Sequence, residues 1–141
     1  MKAELKFVFM MCNDVAAIVD FYGDTLGCAT KSNLEQGWAL VNAGVDIAFF
    51  KGDYPLPEHK EWAWQPGYNG GTANINSYSI STDEKNLRAI FERAKMKNVK
   101  MISEKPVWRK DSYWAITIMD PMGTTIEIYS EVPKPLSTEW K

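Results

Sequence analysis

The stretch NDVAAIVDFYGDTLG, residues 13–27, decides the fold, because it predicts a helix between two segments that have the composition of strands. Asn13 is a favoured residue for capping the start of a helix, and Gly27 is a favoured residue for ending one. The apolar positions between them recur along one helical face; they are Val15, Ile18, Val19, Tyr22 and Leu26.

Strands are predicted on both sides of this helix. Residues 5–12 have the composition of a buried strand, and residues 28–34, 37–42 and 45–51 predict three more. Turn-forming residues separate these segments, with Gly37 after the first and Gly44 between the last two. The predicted order of this half is therefore βαβββ.

The same order recurs in the second half. Residues 73–81 alternate as a strand does, and strands are predicted near 99–108, 112–119 and 124–130. Ser81 and Glu84 predict a capping box at the start of a helix. That helix carries one apolar stripe, made of Leu87, Ile90, Phe91 and Ala94. The Asp-Pro-Met-Gly sequence at 120–123 predicts the turn before the last strand.

The final strands of the two halves can be superposed on each other. GVDIAFF at 44–50 and GTTIEIY at 123–129 share the position of the glycine, an isoleucine and the closing aromatic residue. The repeat predicts one α+β domain over 1–141, with one βαβββ module at about 1–52 and another at about 73–130. The loop at 53–72 is rich in Pro, Gly and Trp, and either links the modules or forms a binding loop. Residues 131–141 predict an extended tail that docks on a partner subunit.

The composition excludes several classes of function. A formal net charge of −2 and the absence of any Lys/Arg block argue against nucleic acid and against an anionic membrane surface as partners. No apolar run reaches the roughly 20 residues that span a bilayer. Two cysteines, Cys12 and Cys28, are too few for a disulfide framework, and their spacing matches no zinc motif. We therefore expect reduced thiols and a cytoplasmic protein.

These motifs resemble the glyoxalase/bleomycin-resistance/extradiol-dioxygenase family, also called the vicinal oxygen chelate superfamily. The resemblance is carried by the residues from Asn13 through the Phe21-Tyr22 pair to Gly27, and by the stretch from Asp120 to Ile128. It implies a curved, mostly antiparallel sheet from each module, with two modules pairing into a cup, within one chain or across a homodimer. It also implies four inward positions that hold a divalent metal in the family's enzymes.

The four metal positions that the resemblance implies are occupied here by Phe7, Ala48, Ser77 and Glu127. A phenyl ring and a methyl group have no donor atom, and a serine hydroxyl is a poor one. The chain also has a single histidine, His59, whereas transition-metal sites generally need several imidazole, thiolate or carboxylate ligands. We therefore predict no metal and no cofactor. Glu127 remains as a candidate catalytic base, a counter-ion for a cationic ligand, or a structural carboxylate.

Strand alternation predicts which side chains face inward with these positions. The candidate ligand-binding residues are Phe7, Phe9, Trp38, Phe50, Ser77, Ser79, Tyr113 and Tyr129, together with Trp62 and Trp64 from the loop. Arg109 and Lys110 are predicted in an exposed turn, where they clamp an anionic group or are simply solvated. His59 either closes over the same mouth with the two tryptophans or is an incidental surface residue. Aromatic walls with a few hydroxyls suit a planar or partly apolar molecule, unless the aromatic side chains fill the cup themselves.

Three functions are compatible with this pattern. The first is a metal-independent binding protein of this superfamily for a small, partly aromatic or apolar molecule. The second is a lyase, isomerase or dioxygenase-type enzyme that uses Glu127 as base or metal ligand. The third is a structural or regulatory dimer whose cup is filled.

Overall fold

The computed structural model describes residues 2–66 and 71–131. The chain divides into two compact units between Glu58 and His59, inside the predicted loop, and each unit is described by itself below. None of the helices in the described residues is long and apolar enough to cross a membrane.

The first unit has the predicted βαβββ order, and its four strands form one mixed sheet in the order β1-β4-β3-β2. The parallel pair is β1–β4, and the other two pairs are antiparallel. Its elements are β1 (Phe7–Cys12), α1 (Val15–Val19), which continues as a π-helix (Asp20–Thr25), and then β2 (Ala29–Asn33), β3 (Trp38–Ala43) and β4 (Val45–Lys51).

The first helix begins one residue later than Asn13 would have placed it. Asp14 is the cap, and its carboxylate accepts the amide of Ala17 at 3.2 Å. Asn13 instead pairs with the backbone of Leu56 through two hydrogen bonds, of 2.8 and 2.7 Å. The predicted end is confirmed, since Gly27 has a φ of +81°, a conformation that suits glycine.

The helix packs on one face of the first sheet and leaves the other face without a helix. Tyr22 is fully buried, and its ring lies 5.1 Å from the ring of Phe49 on β4. Ile18 and Val41 complete this core with no exposed surface. Burial of this apolar area is the main source of the unit's stability.

The second unit repeats the same order in a second mixed sheet, arranged β5-β8-β7-β6. Here the parallel pair is β5–β8. The elements are β5 (Tyr78–Ser81), α2 (Glu84–Met96), β6 (Val107–Arg109), β7 (Tyr113–Met119) and β8 (Thr125–Glu131). The two units together confirm the α+β class and the two βαβββ modules.

The second helix is capped by Asp83, so the predicted capping box of Ser81 and Glu84 is wrong. The Asp83 carboxylate accepts the amide of Asn86 at 2.7 Å. Ser81 is still part of β5, where it lies opposite Tyr129. The predicted apolar stripe is confirmed, since all four of its residues are buried.

Two predicted strands are shorter than the sequence suggested. The first strand of the second half starts at Tyr78, so Ser77 precedes it. The strand predicted at 99–108 is reduced to Val107–Arg109, with one isolated bridge from Met101 to Ile118. Pro106 has no amide hydrogen to donate to a sheet, which accounts for the interruption.

The residues of the predicted loop from His59 onward are part of the second unit and are held by its hydrogen bonds. The amide of His59 donates to the Met122 carbonyl at 2.9 Å, and the amide of Ala63 donates to the Thr125 hydroxyl at 2.9 Å. Ala63 also bridges to Ala73. The last strand extends through Glu131, and the rest of the predicted tail, 132–141, lies outside the described residues.

Candidate functional site

The face of the first sheet that no helix covers carries the aromatic residues that were predicted to point inward. Phe9 lies opposite Ala48 in the parallel pair, and Ala48 lies opposite Leu40 in the antiparallel pair. Residues opposite each other point to the same side of a sheet, and so do residues two positions apart. Phe7, Trp38 and Phe50 therefore share this face with Phe9 and Ala48, as predicted.

These side chains line an open cleft of about 280 Å³. Phe9 is 72% exposed and Phe50 is 42% exposed, although both are large apolar residues. The rings of these two residues lie 6.2 Å apart. The lining residues are Phe7, Phe9, Trp38, Ala39, Leu40, Ala48 and Phe50. The aromatic side chains therefore leave space on this face instead of filling it.

The corresponding face of the second sheet carries a polar cluster around Glu127. Ser79 lies opposite Glu127 in the parallel pair, and its hydroxyl donates to the carboxylate at 2.8 Å. The Tyr113 hydroxyl lies 3.4 Å from the other carboxylate oxygen. Glu127 itself is only 6% exposed, so its charge must be balanced by neighbours.

The balancing charge comes from Arg109. Its guanidinium donates through Nη1 to Glu127 and through Nη2 to the Thr117 hydroxyl, the latter at 2.7 Å. The prediction of Arg109 as an exposed turn residue is wrong, because it is the last residue of β6 and is 2% exposed. It lies opposite Tyr113, and this register turns it to the Glu127 face. Lys110 is exposed, as predicted.

Two tyrosines adjoin this cluster. The rings of Tyr113 and Tyr129 lie 5.1 Å apart, and both side chains are half-buried. Ala115 lies opposite Tyr129, two residues from Tyr113 on the same strand, and is fully buried. Burial raises the pKa of the Tyr113 phenol, and the negative charge of Glu127 raises it further, while the Arg109 charge acts in the opposite direction. Tyr113 is therefore a neutral hydroxyl at ordinary pH.

The donor set at the predicted metal positions does not fit a divalent metal. On the first sheet the inward positions are Phe7, Phe9 and Ala48, and none has a donor atom. On the second sheet, Glu127 is the only carboxylate among these positions, and its two oxygens already accept hydrogen bonds from Arg109 and Ser79. Among residues 2–66 and 71–131, no three His, Cys, Asp or Glu side chains gather in one place.

Three other candidate residues lie away from the Glu127 cluster or at its margin. Ser77 lies outside β5 and is half-buried. Trp62 is half-buried beneath the Lys100 ammonium group, which lies 5.5 Å from its ring centroid, and Trp64 is 63% exposed. Both tryptophans flank Ala63, which is held to Thr125 at the opposite end of β8 from Tyr129.

Comparisons with known proteins support the fold and the family. The model of the Glyoxalase/Bleomycin resistance protein/Dioxygenase superfamily matches residues 4–128. No curated protein matches the sequence. Among solved structures, the chain is similar to the fosfomycin resistance protein FosX from Listeria monocytogenes, with 15% identity, a TM-score of 0.66, and coverage of 94% of this chain and 97% of that one.

Two further structures show the same likeness. One is a FosX mutant from the same organism in complex with Mn(II) and 1S,2S-dihydroxypropylphosphonic acid, with 13% identity, a TM-score of 0.66, and coverage of 94% and 93%. The other is a glyoxalase/bleomycin resistance protein/dioxygenase from Alicyclobacillus acidocaldarius, with 12% identity, a TM-score of 0.59, and coverage of 91% of each chain. At such identities these structures establish the fold alone, while the family model spans most of the sequence. The chain therefore belongs to the Glyoxalase/Bleomycin resistance protein/Dioxygenase superfamily.

Proposed function

We propose that this chain is a metal-independent binding protein for a small, partly aromatic or apolar molecule. The observation that carries the proposal is the open cleft on the first sheet, in which Phe7, Phe9, Trp38 and Phe50 surround about 280 Å³. Contiguous exposed apolar surface on a soluble domain often marks a binding site. The volume is near the lower end of the roughly 300–1,000 Å³ that small-molecule pockets span.

Metal independence is supported by the side chains at the inward positions. A Mn(II)-bound FosX is among the similar structures, but the positions of this chain offer phenyl, methyl and hydroxyl groups. The one carboxylate, Glu127, is engaged by Arg109 and Ser79. An enzyme with Glu127 as catalytic base is less well supported, because a base must come within hydrogen-bond reach of the substrate and Glu127 is only 6% exposed.

The proposal extends to assembly and location. We expect a homodimer, as the superfamily resemblance implies. We also expect the cytoplasm, because both cysteines of the chain, Cys12 and Cys28, are free thiols.

The first test is a metal assay on protein purified without a metal-binding tag. Elemental analysis should find no stoichiometric metal, and Mn²⁺, Ni²⁺, Zn²⁺ and Fe²⁺ should leave the melting temperature unchanged, because no ligand set receives them. About one metal per chain, with a rise in melting temperature, would contradict metal independence.

The second test uses prodan, a neutral naphthalene dye whose fluorescence reports an apolar environment. Saturable binding of about one dye per chain is expected from the cleft. Phe50→Ser should weaken the binding, because it removes one aromatic wall. Tyr54→Ser is the matched control, since Tyr54 is 80% exposed and is not among the cleft residues. Equal binding by both variants would contradict the assignment of the cleft.

A further inference from the structure

The polar cluster of the second sheet has a fixed hydrogen-bond polarity. The carboxylate of Glu127, paired with Arg109, can only accept hydrogen bonds. Ser79 therefore donates its only hydroxyl hydrogen to Glu127, at 2.8 Å. Its two lone pairs remain, and Ser79 lies on the exposed edge strand β5. The accessible side of the cluster thus presents acceptors.

The N–H groups of the Arg109 side chain, which are hydrogen-bond donors, are buried. Arg109 is 2% exposed, and its terminal nitrogens donate to Glu127 and to Thr117. The Tyr113 hydroxyl donates to Glu127 at 3.4 Å. The Arg109 guanidinium is therefore out of reach of an anionic ligand, although it lies at the centre of the cluster.

The tyrosine pair supplies an apolar surface beside these acceptors. The rings of Tyr113 and Tyr129 are tilted by 57° at 5.1 Å, and Ala115, which lies opposite Tyr129, has no exposed surface. The negative face of an aromatic ring attracts a cation, and a second ring packs against it edge-on or offset. An aromatic body and a cationic head group both suit this surface.

We propose that the cluster of Ser79, Arg109, Tyr113, Glu127 and Tyr129 selects an aromatic compound that carries a primary ammonium group. The aromatic ring lies on the tyrosines, and the ammonium donates to the Ser79 hydroxyl beside the Glu127 carboxylate. The inference rests on the proposed binding of small aromatic molecules, and it adds a separate site on the second unit that prefers one chemical class. Arg109 is the positioning residue, because it holds Glu127 as an acceptor.

The test compares three probes that differ only in the group at the end of a phenylethyl chain: 2-phenylethylamine, 2-phenylethanol and 3-phenylpropanoate. Each is titrated into ¹⁵N-labelled protein, and amide chemical shifts give both the affinity and the location. The amine should bind about three- to tenfold more tightly than the alcohol, because a hydrogen bond from a charged donor is stronger than one from a neutral hydroxyl. The carboxylate should bind most weakly, and the amides of β5 and β8 should shift.

Ser79→Ala should abolish the preference for the amine, because it should lower the affinity for the amine more than the affinity for the alcohol. Ser32→Ala is the matched control, because Ser32 is an exposed strand serine of the first sheet. A preference for the carboxylate, or an amine preference that survives Ser79→Ala, would overturn the inference. So would shifts confined to the first sheet, although small-molecule binding would then stand. The absence of shifts with every probe would overturn the proposed function itself.

Discussion

At the scale of single residues, Arg109 and Glu127 form an ion pair whose side chains are only 1% and 8% exposed. Removing two charges from water costs free energy, and their mutual attraction offsets this cost only with good geometry and further hydrogen bonds. Thr117 and Ser79 provide those bonds, one to each partner. Each charge therefore depends on the other, and the pair should behave as a unit.

The first prediction concerns this dependence. Glu127→Gln leaves the buried guanidinium without a counter-ion and should lower the free energy of unfolding by about 3–5 kcal/mol. Arg109→Met should have an effect of similar size. The double variant should lose clearly less than the sum of the two. Urea unfolding of the four proteins measures the coupling, and single losses below about 1 kcal/mol, as for a surface pair, would contradict the burial.

The second prediction concerns Tyr113, whose pKa is raised by burial first and by the charge of Glu127 second. Its folded-state pKa should exceed the ordinary value of about 10 for tyrosine. Because the pKa is raised, the contribution to stability is present below about pH 10 and is lost as the pH rises through the folded-state value. Glu127→Gln should lower this pKa, since burial alone would then oppose the Arg109 charge.

Phenolate absorbance during an alkaline titration checks this prediction. Tyr113→Phe identifies the contribution of this residue among the six tyrosines of the chain. A Tyr113 transition at or below the ordinary value in the unaltered protein would show that the phenol is not shielded as described.

At the scale of elements, strand alternation predicted the two inner faces well, because a period of two residues fixes the face once one residue is placed. Phe7, Phe9 and Phe50 lie together on the first sheet, and Ser79 lies opposite Glu127 on the second. Alternation does not decide where a strand begins, and Ser77, the position that the resemblance implies, lies before the first residue of β5. The boundary depends on hydrogen bonding to β8, which local sequence does not encode.

The missed element was β6. The prediction of one strand over 99–108 ignores Pro106, and it places Arg109 in the turn after the strand. A strand restarted after the proline, and paired across the turn at 110–112, would have placed Arg109 opposite Tyr113 and on the Glu127 face. The proline was thus the available signal. Burial of the arginine itself follows only from long-range pairing of β6, β7 and β8.

The third prediction concerns the turn between β7 and β8. Gly123 has a φ of +78°, and a Cβ there would overlap the carbonyl oxygen of His59. Gly44 occupies the equivalent turn of the first unit with a φ of +87° and nothing within 4 Å of such a Cβ. Gly44→Ala should lower the free energy of unfolding by about 1–2 kcal/mol, the backbone strain of a left-handed residue.

Gly123→Ala should lose clearly more than its matched control, because the His59 segment must also move. Its hydrogen bond from the His59 amide to the Met122 carbonyl would be lost with that movement. Thermal unfolding of the two variants gives the comparison. Equal losses would mean that the 59–64 segment does not pack on this turn.

At the scale of the whole molecule, two units with the same element order and the same sheet order carry different chemistry. The equivalent cross-strand pairs are Phe9 with Ala48 in the first unit and Ser79 with Glu127 in the second. Each unit keeps its helix-covered apolar core, since that core maintains the fold. The helix-free faces are under no such requirement, and one has become apolar while the other holds a satisfied ion pair.

The fourth prediction asks what covers the apolar face of the first sheet. We expect a small molecule there and a homodimer formed through other surfaces. Phe9→Asp should therefore weaken prodan binding by at least tenfold, about 1.4 kcal/mol, because a charge enters the cleft. It should leave the sedimentation of the dimer unchanged. Stability should change by no more than about 0.5 kcal/mol, because the Phe9 side chain is 72% exposed.

Leu34→Asp is the matched control for that prediction, because Leu34 is a 60% exposed apolar residue that does not line the cleft. It should keep both the dye affinity and the dimer. If Phe9→Asp instead sediments as a monomer while Leu34→Asp remains a dimer, the apolar face is the subunit interface and the cleft is not the ligand site. Dye binding and sedimentation of the same two variants therefore separate a ligand-binding face from an assembly face, since an apolar surface of this size serves either purpose.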